Sequence, residues 1–238
     1  MKIEVHDYIY NHRGEGFNKV KWSFIEKIAP LYAKAAGVTL NIGFWGVVLA
    51  ILVGIICAFI QYYKIRGLNS FVKMYIELSR NTPLLIQVFF LYFGLPQVGI
   101  TLSGTACGII GLAFLGGSYM AEAFRSGLEA VSKSQIEAGL SVGLGNYDIM
   151  KSVVLPQSFS ISMPGISANI IFLLKETSIL SAIAIPELLY VTKSVIGLYY
   201  RTNEAFLLLT ICYLLLILPL SIILRIIEKR SRHGEFGY

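Results

Sequence analysis

Six ionisable side chains lie at or near the edges of the long apolar stretches of this chain, and they set the chemistry open to it. Glu77 and Arg80 are three residues apart, as are Glu122 and Arg125, a spacing that places side chains on one helix face. Opposite charges so placed suit ion pairs, either as staples or as a gate that re-pairs when helices move. Lys175 and Glu176 are adjacent, so on a helix they point to different sides and need separate partners. Asn169 and Ser167 interrupt an apolar run, where a neutral amide or hydroxyl serves an interhelical hydrogen bond or lines a path for a polar solute. Ser118, Gln87 and Thr82 are further candidates for such a path. An Asn at position 169 in place of a carboxylate argues against a cationic solute. Catalysis has no constellation to work with. All three histidines, His6, His12 and His233, lie in the tails, and Cys57, Cys107 and Cys212 sit far apart in apolar runs with no Cys-x-x-Cys pair. The expectation is no catalytic residue, no metal site and buried, inert thiols.

The elements that position these groups are membrane helices. Of 238 residues, 55% are hydrophobic and 14% charged, against about 25% charged in soluble domains. The net charge is +6, but the basic residues flank apolar runs, which points to a membrane surface and excludes a nucleic-acid partner. Because about 20 apolar residues cross a bilayer, five spans are predicted: Ala35–Tyr63, Phe71–Gly94, Thr101–Ala123, Ser152–Leu174 and Ala205–Leu224. Each must be helical, since a lone strand in lipid leaves its backbone unpaired. The fold class is therefore an all-α, polytopic helix bundle. Pro96 divides the second span from the third. Ile179–Ile185 is too short to span and ends at Pro186, so it reads as a re-entrant or interfacial segment followed by an external loop. Gly104 and Gly108 form a Gly-x-x-x-Gly pattern that favours close helix packing. Residues 1–34 form a tail, with Trp22–Tyr32 a candidate amphipathic helix on the surface. They contain nothing that reads as a cleavable signal. Residues 35–230 form one membrane domain and 231–238 a second tail. Lys64, Arg66 and Lys73 fall on one side with Arg125, Lys133, Lys151, Arg225, Lys229 and Arg230, which makes that side, and the C-terminus, cytoplasmic.

The most informative segment is the polar stretch Ala130–Gln157 on that side. Ser134–Leu140 holds good helix formers, Gly143 and Gly145 can end a helix, and Asn146 or Asp148 can cap the next. Two short helices joined by a glycine turn thus project from the membrane. The spacing Glu137-Ala138-Gly139, then Gly143, then Val153-Val154-Leu155-Pro156 resembles the EAA loop of ABC importer permeases. Gly139 replaces the second Ala of that motif and Val153 its Ile. Glu77-Leu-Ser-Arg80-Asn-Thr-Pro83-Leu-Leu-Ile-Gln87, Ser118-Tyr-Met-Ala-Glu122-Ala-Phe-Arg125-Ser-Gly127 and Leu174-Lys-Glu-Thr-Ser178 resemble motifs of the polar amino-acid subfamily.

The resemblance implies a permease subunit of a bacterial inner-membrane importer for a polar amino acid. Glu137, Ala138, Gly139, Gly143, Leu155 and Pro156 are then the positions that couple to an ATPase. Two ATPase subunits, a second permease chain and an external solute-binding protein are the implied partners. ATP and Mg belong to the ATPase, because this chain has no Gly-Lys dipeptide and hence no Walker A loop. The competing reading is a subunit of an ion-gradient-driven transporter, which calls for midplane carboxylates and broken helices in matching halves. A membrane enzyme finds no support in histidine-free spans.

Overall fold

A computed structural model describes residues 20–236, and the first nineteen residues, including Lys2, Arg13 and Lys19, lie outside it. Among the described residues the regular structure is helical: α1 (Trp22–Tyr62), α2 (Leu68–Arg80), α3 (Leu84–Phe89), α4 (Gly104–Ala130), α5 (Lys133–Ser141), α6 (Asn146–Ile149), α7 (Leu155–Glu176), α8 (Leu188–Tyr199) and α9 (Thr202–Phe236). Four stretches are long and apolar enough to cross a membrane: α1, α4, the run Asn146–Ile183 containing α7, and Thr202–Ser231 of α9.

The second predicted span is interrupted. α2 ends at Arg80, and Pro83 holds an extended ψ of 139° ahead of α3. Proline has no N–H to donate and pushes the residue before it out of the helical region. Side chains bond carbonyls at the break. Asn81 Nδ2 donates to Glu77 O and Thr82 Oγ1 to Leu78 O, each at 2.8 Å, while Gln87 Nε2 lies 2.9 Å from both Ser79 O and Thr82 O. Helical turns over Phe90–Gly94 and Leu95–Val98 continue α3 as a shorter apolar segment, Leu84–Val98, and Gly99, at φ +84°, ends it. The third span starts later than predicted, at Gly104, where Ser103 Oγ accepts from Ala106 N.

Two other expectations are corrected. Trp22–Tyr32 is not a surface helix but the start of α1. Ile28, Tyr32 and Ala35 are buried against Leu188, Val195, Ala205 and Leu208, and Tyr32 OH donates to Ala205 O at 3.0 Å. The charges in this stretch occupy only the remaining faces. The external loop expected after Pro186 is largely the helix α8, started by the buried carboxylate of Glu187, which accepts from Leu189 N (2.9 Å) and Tyr190 N (2.7 Å). Glutamate is outside the usual N-cap set of Ser, Thr, Asp and Asn, so the start is not obvious from sequence. The apolar segment before it is a tight helical extension of α7, Thr177–Ile183, with Leu180 and Ile183 in the core.

α1 and α4 form the central pair. Lipid gives apolar helices no hydrophobic reason to associate, so close backbone approach and dispersion must hold them. A Cβ on Gly54 would lie 2.4 Å from Met120 Cβ, and one on Gly116 would lie 2.8 Å from Ala50 Cβ. At these two positions only hydrogen lets the helices meet.

Candidate functional site

Two regions carry the residues singled out in the sequence. The first is the projecting loop between α4 and α7. α5 ends in a double cap: Gly143 N donates to Leu140 O at 3.0 Å and Leu144 N to Gly139 O at 3.1 Å. This is a Schellman closure, which needs a left-handed residue after the helix, and Gly143 supplies it at φ +85°. Gly145 has an ordinary φ of −73° and is itself the residue before α6. No side chain caps that helix, so the expected cap by Asn146 or Asp148 is not made. Gly139 is buried, and a Cβ there would stand 3.0 Å from Ile149 Cγ1. Its missing side chain brings α5 onto α6.

The loop is anchored by Ile149 and Val154, which pack with Val131, Leu128 and Ala58 at the ends of α4 and α1. Beyond that anchor it is open. Glu137 and Ala138 are exposed, and Val142 and Tyr147 are 77% and 74% exposed. Leu155 and Pro156 begin α7, directly after a widened helical turn over Met150–Val154. A wider turn relieves the clash a proline ring makes with the carbonyl four residues back.

The second region is a cleft of about 330 Å³ between α2, α3, α4 and α7, lined by Arg80, Thr82, Tyr119, Phe172 and Glu176 among others. Arg80 pairs with Glu122 across the α2–α4 contact, and its guanidinium lies 5.0 Å from the Tyr119 ring centre. The pairing within each helix expected for Glu77–Arg80 and Glu122–Arg125 is therefore corrected. Glu122 takes Arg80, and Arg125 turns to Glu129 at 2.7 Å. Helix packing brings the interhelical partner within reach, leaving Glu77 without an ion pair among the described residues.

Glu176 lines the cleft, whereas Lys175 is exposed on another side of α7. Asn169 is half-buried and shares a helical stripe with Phe172 and Glu176, at spacings of three and seven. Ser167 Oγ is buried without a partner. Ser118 is fully buried, donating to Leu115 O at 2.7 Å and standing 3.1 Å from Ser79 Oγ. It joins α4 to α2 outside the cleft lining. Gln87 and Thr82 close the helix break, though Gln87 Oε1 has no partner. Residues missed in the sequence are Tyr119 and Phe172, whose rings meet edge to face with centres 5.5 Å apart. Among the described residues no group of His, Cys, Asp and Glu could hold a metal ion.

Residues 50–233 match the family described as "Binding-protein-dependent transport system inner membrane component". The chain belongs to this family. It is a permease subunit of an amino-acid ABC transporter, as its relatives agree. The permease is 31% identical over 222 residues to the probable amino-acid ABC transporter permease protein YckA of Bacillus subtilis, covering 91% of this chain and 98% of the relative. It is 35% identical over 199 residues to the probable glutamine ABC transporter permease protein GlnP of the same organism, covering 82% and 90%. Among solved structures, the permease superposes on an amino acid ABC transporter crystallised with histidines, with TM-score 0.82 and 30% identity over 89% of this chain and 99% of that one. The methionine transporter MetNI, in an inward-facing form, shares the fold at TM-score 0.70 and 19% identity over 87% and 98%.

Proposed function

We propose that this permease subunit serves an importer for a polar amino acid and is driven by a partner ATPase that docks on α5, Gly143 and α6. The observation that carries this is the loop itself. It has a closed glycine turn, a packed base on the ends of α1 and α4, and an open outer surface with exposed apolar side chains. A push on such a loop is transmitted to the helices it is anchored on. Moving a two-state bundle from 1:99 to 99:1 requires about 5.5 kcal/mol of differential binding, which two ATP-bound ATPase subunits can supply. ATP and Mg are held there, and this chain contributes no ligand to them. A second permease chain completes the pathway, and an external solute-binding protein delivers the amino acid. The cleft beside Arg80, Tyr119, Phe172 and Glu176 is the inner part of that pathway. Asn169, on the same stripe, speaks against cationic cargo. The basic flanks support a coupling loop and C-terminus on the cytoplasmic side of a bacterial inner membrane.

The test is co-purification of the tagged chain from its native membrane in mild detergent, with mass spectrometry of what accompanies it. A stoichiometric P-loop ATPase supports the reading. A chain that emerges alone and binds no added ATPase overturns the docking role and favours a gradient-driven transporter.

A further inference from the structure

Pro83 has no N–H, so the carbonyl four residues back, Ser79 O, lacks the partner that a continuous helix would give it. Gln87, in the first turn of α3, supplies a donor instead. Its Nε2 lies 2.9 Å from Ser79 O and 2.9 Å from Thr82 O. A side-chain amide has two N–H groups, and both are used. The two carbonyls bracket Arg80 and Asn81, so one side chain clasps the exposed end of α2 from both sides.

The segment is also tied to α4. Ser79 is fully buried, with its Oγ 2.9 Å from Phe114 O and 3.1 Å from Ser118 Oγ. Tyr119 and Glu122, which hold the Arg80 guanidinium, follow Ser118 on the same stretch of α4. Arg80 faces the cleft, while Glu122 faces a second cavity, of about 500 Å³, on the other side of the pair. The position of the end of α2 therefore sets the partition between the two.

Gln87 is not the side chain that packing alone would select. It lines a largely apolar groove with Ile86, Phe90 and Phe114, and its Oε1 is enclosed without a partner. Flipping the amide would bring Oε1 against two carbonyl oxygens, so the orientation is settled by its neighbours. An enclosed acceptor left unbonded is unfavourable, and an apolar residue of the same length would avoid it. Such a residue would not hold the carbonyls at 79 and 82.

We propose that Gln87 is a positioning residue for transport, whose amide clamps the backbone on both sides of Arg80 and so fixes where that guanidinium stands in the cleft. A polar group that serves a pathway must be held in place by such support. The role rests on the reading of the cleft as part of the pathway, and the experiment separates the two.

The test compares Gln87→Met, which keeps the length and loses both donors, with Tyr75→Phe. The latter removes a different α2–α4 hydrogen bond, Tyr75 OH to Phe114 O at 2.7 Å, away from Arg80. Hydrogen exchange is measured on the complex purified from the native membrane. Uptake of a radiolabelled amino-acid mixture is measured in native cells, relative to cells lacking the gene and at equal amounts of inserted protein. Gln87→Met is expected to keep a near-normal melting curve and to speed amide exchange over residues 80–84 about tenfold. Its uptake is expected to fall about tenfold, with Tyr75→Phe near wild type in both. The double variant Arg80→Gln with Gln87→Met is expected to take up no less than Arg80→Gln alone, because Gln87 acts through Arg80. If Gln87→Met is not recovered folded, Gln87→Asn, which keeps an amide but is one methylene short, is read in its place. Unchanged exchange over 80–84 overturns the clamp, whatever uptake does. Losses that add in the double variant, or faster exchange with unchanged uptake, overturn the positioning role. In the last case Arg80→Gln shows which reading failed: lost uptake keeps the cleft in the pathway, and normal uptake removes it.

Discussion

Arg80 of α2 and Glu122 of α4 form an ion pair across the helix contact, with each side chain more than one third exposed, at 36% and 40%. Such half-open pairs contribute little to stability, on the order of 0–1 kcal/mol. The pair stands between two cavities, so its value lies in position rather than in holding the fold. Glu122→Gln is expected to leave the melting temperature nearly unchanged and to lower substrate-driven transport several-fold. The exchanged pair Arg80→Glu with Glu122→Arg is expected to recover part of that loss. Melting curves and uptake in proteoliposomes check both. A large drop in melting temperature would instead make the pair a structural staple.

Gly143 holds φ +85° at the end of α5, whereas Gly145 holds φ −73°. Left-handed backbone costs a residue with a side chain about 1–2 kcal/mol. Gly143→Asp is therefore expected to distort the loop and abolish stimulation of the partner ATPase without affecting membrane insertion. Gly145→Ala is expected to retain most activity. The comparison is read from ATPase rates at equal amounts of inserted protein.

The α1–α4 contact predicts a stability effect. At Gly54, a Cβ would stand 2.4 Å from Met120 Cβ, but at Gly37 nothing lies within 4 Å. Overpacking of this kind costs about 1–3 kcal/mol. Gly54→Leu is expected to lower the thermal midpoint in detergent and Gly37→Leu to leave it near wild type. Similar shifts for both would remove the argument for close packing at Gly54.

Glu187 gives a pH signature. Its carboxyl lies in the turn before α8, outside the four long crossing helices, and burial pushes its pKa from 4.5 up to about 7. Its two backbone donors and Lys193 pull in the opposite direction but do not prevail. Because the folded value is the higher one, the protonated form is favoured by folding. The contribution is complete below pH 4.5 and is lost as pH rises through about 7. Its full size is on the order of 3 kcal/mol. The stability of the wild type relative to Glu187→Gln should therefore fall across that window, as measured by the difference in their melting temperatures. Parallel profiles would show that Glu187 does not titrate there.

Much of this protein was legible without a structure, and the reason is local. Span length, charge exclusion and the left-handed glycine at 143 depend on neighbouring residues and on the bilayer, so the all-α bundle and the loop turn follow from the chain itself. The spaced motifs around Glu137, Glu77 and Glu122 pointed to the permease family that the comparisons establish. What failed depended on groups distant in sequence. The partner of Arg80 is Glu122 rather than Glu77 because packing of α2 on α4 sets the distance. Ile28 and Tyr32 belong to the core because α8 and α9 cover them. Pro83 divides a span that hydropathy reads as continuous, and it is tolerated because Thr82 and Gln87 bond the carbonyls of Leu78 and Ser79. The sequence alone determined that the chain is a bundle of long apolar helices and where the loop at Gly143 turns. Tertiary structure decided which charges meet and which polar groups face a cavity, because those depend on the separation of helices far apart in the chain.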